Sequence, residues 1–553
     1  MIKRIWTVMC LVLLSFVCLA LPVQAECPGE CKSHRKISNL PYLPGLDDHD
    51  WFGGAVARLG DLDGNGVNDL AVGALFDDDV GPNAGAVWIL FLRTDGTVSS
   101  HGKISNPDPL AANDWFGTSL VWLGDLGPGA ATPNALAVGA MLDNDGGDAS
   151  GAVWILFLNS GGMVVDSQKI SNYHGGLPAD ELDPLDQFGV SLSALGDLDQ
   201  DGVGDLAVGA FGQDEYRGAV WILFLNTDGT VKSHGKISDT EGGFIGGLDV
   251  EDGFGISVAS LGDIDGDDVV DLAVGAFLDD DGDPLVLDPE DRGAVWLLHL
   301  EVDTTGADPL VTVKSHVKIS DTEGRFEGEL DNGDAFGKAV APLGDLDGDG
   351  DGELAVGALY DDDGGLDCGA VWILFLADDG TVSHHQKISN LEGYAPPIDP
   401  GDGFGVSISS LGDIDGDGVG DLAVGAYRDD DGGTDRGAVW LLFLHARLSL
   451  DVMPESLEWG PPGGAVSYDI VRGDLGSLQS SGGDFVQAVD ECVENDCPDM
   501  SVSYAMSPDP DEGFWFLVRR VYSPPSGGTY DTCAPSQAAA RDQEIADSGV
   551  ACP

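Results

Sequence analysis

One unit repeats six times along this chain, and no other feature limits its fold as strongly. Phe-Gly recurs at Phe52, Phe116, Phe188, Phe254, Phe336 and Phe404. Each copy continues through an LGD step, an LAVGA run and a GAVW(I/L)L run. Lys-Ile-Ser accompanies the copies at Lys36, Lys103, Lys169, Lys236, Lys318 and Lys387. The anchors lie 64 to 82 residues apart, so differences in length fall in loops.

Each unit holds four runs of strand length separated by Gly and Asp clusters. GAVWILFL is apolar throughout and reads as a strand buried on both faces. It ends in a DG turn at Asp95, Asp228 and Asp379, which leads into the Lys-Ile-Ser strand as a hairpin. LAVGA is rich in small residues, as the inner part of a tapering blade requires. Four antiparallel strands repeated radially give an all-β chain built on a six-bladed β-propeller, with seven blades the alternative. The first Lys-Ile-Ser precedes any Phe-Gly, and the last GAVWLLFL, at 437–444, has none behind it. The N-terminal segment is therefore expected to supply the missing outer strand of the last blade and to close the ring.

Between the first two strands lies a nine-residue loop of pattern D-x-D-x-(D/N)-x-x-x-(D/E). It recurs as Asp61/Asp63/Asn65/Asp69, Asp197/Asp199/Asp201/Asp205 and Asp263/Asp265/Asp267/Asp271, then as Asp345/Asp347/Asp349/Glu353 and Asp413/Asp415/Asp417/Asp421. An EF-hand would need a bidentate Glu at position 12, where Val72 and Val208 stand inside strand patterns. What remains is hard oxygen donors crowded around a tight turn, which is calcium chemistry on another scaffold. About five Ca2+ sites are expected. Unit 2 keeps only Asp125 and is expected to bind none; sites 1, 3 and 6 are expected to be the firmest.

The combined FG…DxDGxGxxDLAVGA…GAV pattern resembles the FG-GAP repeats of the integrin α-subunit propeller, over about 36–448. That resemblance implies calcium in these loops on one face of the ring, ligand contact chiefly on the opposite face, and a role in adhesion. Integrin propellers have seven blades, whereas six repeats are counted here, so a free-standing FG-GAP protein is expected rather than a receptor subunit.

With 96 acidic against 25 basic residues, the net charge of −71 excludes nucleic acid as a partner. Lys3 and Arg4, the apolar stretch Val8 to Leu21 and the Val-Gln-Ala at 23–25 read as a signal peptide, 1–25. Residues 26–35 form an N-terminal segment and 36–448 the propeller, and no membrane span is expected in the mature chain. Residues 449–553 are assigned to a small β-sandwich, since SLEWGPPGGAVSYDIVRG at 456–473 resembles two strands of a fibronectin type III module. Cys27 and Cys31 could bridge locally, and Cys492, Cys497, Cys533 and Cys552 allow three pairings. Cys368 is left over as an idle thiol. The tripeptide Arg472-Gly473-Asp474 is expected by chance in a chain this rich in Gly and Asp.

A second acidic loop follows LAVGA at Asp77–Asp79, Asp279–Asp281, Asp361–Asp363 and Asp429–Asp431, with weaker forms at 143–145 and 213–215. It is expected to be a solvated loop, with extra cation sites or a contact rim as alternatives. Asp50, Asp114, Asp186, Asp252, Asp334 and Asp402, two residues before each Phe, are expected to cap turns. The repeat tryptophans are expected to fill the space between blades, and His34, His101, His234, His316 and His385 to lie at the surface. No catalytic constellation emerges. The expected function is a secreted calcium-binding propeller in adhesion or extracellular protein or glycan binding. A structural scaffold of an extracellular complex and a calcium-dependent polysaccharide-cleaving enzyme are the alternatives.

Overall fold

The computed structural model describes Gly29, residues 31–38, 45–105, 110–127, 134–280, 291–306, 308–347, 350–393 and 396–444. Beyond these it describes only backbone, at 449–452, 456–460, 467–474, 489–497, 501–503 and 514–521. The signal-peptide reading and the Cys27 partner of Cys31 lie outside the described residues, as do the side chains of the four C-terminal cysteines.

Residues 29–444 build six four-stranded antiparallel sheets arranged as the blades of a propeller. In blade 1 the order from the axis outwards is Phe52–Gly60, Asp69–Ala74, Ala86–Leu92 and Val98–Ile104. Blades 2 to 5 repeat it, with inner strands at Phe116–Asp125, Leu192–Gly196, Phe254–Gly262 and Phe336–Gly344. Blade 6 takes Phe404–Gly412, Asp421–Ala426 and Ala438–Leu444 from its own repeat, and its outer strand is Cys31–Ile37. Arg35 pairs with Leu441 and Lys36 with Trp440, so the first strand of the chain closes the ring as the repeat order required. The third strands of blades 1, 2, 3, 5 and 6 are buried along their whole length, as their unbroken apolar sequence predicts, whereas that of blade 4 carries His299 and runs out to exposed residues at its end.

Two glycines set how closely the blades approach. The Phe-Gly glycines hold φ near 90°, a backbone that strongly favours Gly. Each turns its carbonyl towards the LAVGA glycine of the preceding blade. A Cβ on Gly73, Gly139, Gly209, Gly275, Gly357 or Gly425 would lie 1.9–2.1 Å from that oxygen, and the last pair, Gly425 with Gly53, joins blade 6 to blade 1. Ser407 Oγ also donates to the Gly53 carbonyl at 2.8 Å across this seam.

The cores lie between blades. Trp88 packs with Leu411, Ile414 and Val439 of blade 6, and Trp154 with Val87 and Ile89 of blade 1. The repeat tryptophans are 1–4 % exposed and fill the space between neighbours, as expected. The insertion at 302–313 only lengthens one outer hairpin, Ala294–Asp303 with Leu310–Ile319.

The C-terminal unit has two three-stranded antiparallel sheets. One pairs Ser449–Val452, Ser456–Gly460 and Ser501–Ser503; the other sets Ser467–Asp474 between Val489–Cys497 and Phe514–Val521. Arg472-Gly473-Asp474 thus ends a central strand paired on both sides, not a hairpin tip.

Candidate metal centres and the two ends of the ring

Each D-x-D loop joins an inner strand to the second strand, so all of them lie at one end of the ring. Residues just before the inner strand and just after the second strand, such as Trp51 and Leu75, lie at the other end.

At the loop end, positions 1, 3 and 9 converge. Asp61, Asp63 and Asp69 bring carboxylate oxygens within 4.8 Å of one another, and so do Asp197, Asp199 and Asp205; Asp263, Asp265 and Asp271; Asp345, Asp347 and Glu353; and Asp413, Asp415 and Asp421. The backbone builds this convergence. Asp61 Oδ1 accepts from the N–H groups of Gly64 and Asn65, and Oδ2 from that of Gly66, each at 2.8 Å. Asp69 accepts from the N–H of Leu62 at 3.0 Å and from Leu92, on the third strand, at 3.0 Å. The ninth residue therefore fixes the loop to the sheet. Asp205, Asp271 and Asp421 make the same bonds to Leu225, Leu300 and Leu444.

Burial pushes the ninth carboxylate up, to about 6 for Asp69 and about 7 for Asp205 and Asp421. A cation placed among the three carboxylates would relieve this cost at the ninth, and an all-oxygen set suits a hard divalent ion. In loop 4 the imidazole of His299, where other blades carry Phe, lies 3.5 Å from Asp271 and 3.9 Å from Asp265.

Position 5 behaves differently from its neighbours. Asn65 accepts from Val67 at 2.7 Å and donates to the Leu92 carbonyl at 2.9 Å. Asp201, Asp267 and Asp417 meet a lysine from the outer strand. Lys232 bridges Asp199 and Asp201, Lys314 bridges Asp265 and Asp267, and Lys32 bridges Asp415 and Asp417. The same outer-strand position is Ser99 in blade 1 and Ser383 in blade 5. Asp349 lies outside the described residues, as do 128–133 of the unit 2 loop.

The second acidic loop is solvated only in part: the residues after its first aspartate face water, as expected, but the first aspartate does not. Asp77, Asp143, Asp279, Asp361 and Asp429 are only 1–5 % exposed. Each meets the lysine of Lys-Ile-Ser: Lys103 reaches Asp77 and Asp79, Lys169 reaches Asp143 and Asp145, and Lys387 reaches Asp361 and Asp363. Lys318 meets Asp279, and Lys36 meets Asp429 and Asp431. The strand register explains the meeting, because each lysine stands opposite a repeat tryptophan and crosses its ring at 4.9–5.4 Å. Blade 3 departs, with a four-residue helical turn at Gln213–Tyr216 and Lys236 on Glu241. The five histidines are exposed or half-buried at the surface, as expected, and each packs its ring on its blade's repeat tryptophan at 5.2–5.5 Å.

The six aspartates before Phe do cap turns, as Asp50 does by accepting from Asp47 N–H at 2.7 Å. Asp114, Asp186, Asp252, Asp334 and Asp402 bond equivalently three residues upstream. Burial pushes their carboxyls up to about 6 or 7. Cys368 is fully buried and its thiol is pushed up by that burial, which leaves it a poor nucleophile.

At the opposite end the channel opens into a cavity of about 350 Å³. Trp51, Trp115, Phe211, Phe277, Tyr360 and Tyr427 stand around it, with Lys338 and Arg428 among them. Sequence reasoning passed over these two cations. Aligning the repeats would have revealed them: Lys338 stands where other units have Gly54, Thr118, Val190, Ile256 and Val406. Arg428 stands where they have Phe76, Leu142, Gly212, Leu278 and Tyr360.

Among known proteins, the model of the FG-GAP repeat matches residues 52–90, 188–223 and 404–442. Human integrin alpha-IIb is 39% identical over 92 residues, 17% of this chain and 8% of that protein. Integrin alpha-PS2 of Drosophila melanogaster is 39% identical over 95 residues, 17% of this chain and 7% of that protein. The chain thus spans less than a tenth of either relative. Among solved structures, the Dos1 propeller covers 79% of this chain and 84% of its own, at 14% identity and a TM-score of 0.32. FG-GAP repeats like those of integrin α-subunits are thereby joined to the propeller described above.

Proposed function

We propose that this chain is an exported, calcium-binding FG-GAP propeller that acts in adhesion or extracellular ligand binding and is not catalytic. The observation that carries the reading is the fivefold convergence of three carboxylates at one end of a closed ring. Asp61, Asp63 and Asp69, with their counterparts in units 3 to 6, would hold the ions, and Asn65, Asp201, Asp267, Asp349 and Asp417 would complete the sets. Calcium would supply positive charge where the carboxylates repel one another, holding each loop against its third strand. The likeness to integrin subunits supports an extracellular binding role, and no helix among the described residues is long and apolar enough to cross a membrane.

A scaffold role in an extracellular complex would use the same calcium-stiffened ring. An enzyme on this ring would need a group that breaks the symmetry, and Lys338 with Arg428 is such a pair. The cavity they face is lined by no carboxylate or histidine among the described residues, so it lacks the acid–base pair of glycoside cleavage.

The experiment is binding of labelled residues 26–553 to arrays of glycans and matrix polymers, with calcium and with chelator, alongside calorimetric calcium titration. Selective binding lost on chelation, with about five ions bound, is the expected result. Calcium uptake without any array binding would move the reading to the scaffold, and no uptake would end the calcium reading.

A further inference from the structure

The channel mouth opposite the acidic loops holds a feature that departs from both the symmetry of the ring and its charge. In a chain of net charge −71, a cation normally finds a carboxylate, and the lysines described above each have one or two. Lys338 and Arg428 do not. Among the described residues, neither side chain makes a hydrogen bond or an ion pair. Lys338 Nζ lies 5.5 Å from the ring centre of Phe277, and the Arg428 guanidinium 4.8 Å from Tyr427 and 5.4 Å from Trp51. Burial alone pulls the lysine down to about 8.

The walls between them are aromatic. Trp51 packs edge-on against Tyr427 at 4.7 Å, and Phe211 against Phe277 at 6.1 Å. Trp51 and Trp115 hold φ of 57° and 56°, a left-handed backbone that bulky residues rarely take. The same left-handed step recurs at Gln187, Gly253, Ala335 and Gly403, so it belongs to the turn of every unit. In units 1 and 2 that turn carries an indole to the mouth, and the guanidinium of Arg428 lies over the one at Trp51.

We propose that this mouth is a binding site for an organic carboxylate with an aromatic or apolar body. The carboxylate would pair with Lys338 and Arg428, and the body would stack on the ring of aromatic residues. A cationic ligand would face two fixed positive charges already seated on the aromatic faces. The site gives the binding reading a ligand chemistry and needs no calcium, since it lies at the other end of the ring.

The test titrates residues 26–553 with 3-phenylpropionate, its neutral amide and 3-phenylpropylamine, following calorimetry and tryptophan emission. Binding of the acid, with the amide about tenfold weaker and the amine silent, is expected. Lys338→Met and Arg428→Leu, checked for an unchanged melting temperature, should each weaken the acid by about five- to tenfold. A Phe-terminated peptide with free or amidated C-terminus separates a chain end from a free acid: binding of the free-ended peptide assigns a protein terminus, and its exclusion assigns a small molecule. Equal binding of acid and amide, preference for the amine, or no heat with any probe would overturn the proposal. Repeating the titration with chelator keeps it apart from the calcium reading: carboxylate binding that survives in a protein that takes up no calcium leaves this site standing alone.

Discussion

Gly209 shows how little freedom a single position has in this ring. A Cβ there would sit 2.0 Å from the carbonyl oxygen of Gly255 and 2.2 Å from Ser191 Oγ, and the oxygen belongs to the backbone of the next blade. Gly209→Ala should cost about 2–4 kcal/mol through forced separation of blades 3 and 4, read from denaturant midpoints. A change within about 0.5 kcal/mol would mean that the blades slide apart freely. Charge is equally constrained at Lys387, which is the partner of the buried Asp361. Lys387→Met should cost about 3–5 kcal/mol, because it strands a carboxylate in an apolar site. Restoration by Asp361→Asn in the same chain would identify the stranded charge as the cause; an additive loss would point to lost packing on Trp372 instead.

Loops and strands as elements were largely legible in the sequence, because each recurs five or six times and a repeated element averages out local ambiguity. The outer strand supplied from residues 31–37, the D-x-D loops and the capped turns could all be read from order and spacing. What could not be read was contact between distant elements. Nothing in Lys-Ile-Ser says that its lysine crosses a tryptophan to reach an acidic loop, since that needs the cross-strand register. The lysines of loops 3, 4 and 6 were hidden for the same reason. On the calcium reading proposed above, an ion entering those loops would have to displace a tethered ammonium, whereas the outer strand beside loop 1 carries Ser99 at that position. Lys232→Met should therefore tighten one of the calcium sites by about tenfold, measured by calorimetry; unchanged affinities would show that the ammonium leaves without cost. The six turn-capping aspartates predict a pH response. Their carboxyls titrate near 6 to 7 when folded and near 3.8 when unfolded, so between those limits the folded state holds more protons. Stability should then rise as pH falls from about 7.5 to about 5 and level off below about 4. Melting in chelator across this range tests the sign, and a fall in melting temperature on mild acidification would contradict it.

The ring is completed by one outer strand and one seam. Cys31–Ile37 completes blade 6, and Gly425 meets Gly53 across the same seam. A truncated chain beginning at residue 39 should keep blades 2 to 4 but lose amide-exchange protection along Ala438–Leu444, whose outer edge would be bare. Protection equal to that of the full chain would mean that the seam glycines hold the ring without the strand. Closure also has a consequence in time. Arg35 is made first, and its partner Leu441 emerges roughly 400 residues later, so until then the growing protein is an arc with two bare edges. The sixth blade of a neighbouring arc offers the first strand the same partner as its own. Whether a chain becomes one ring or trades strands with its neighbour is then a contest between closing and meeting, decided by how crowded the newly made copies are.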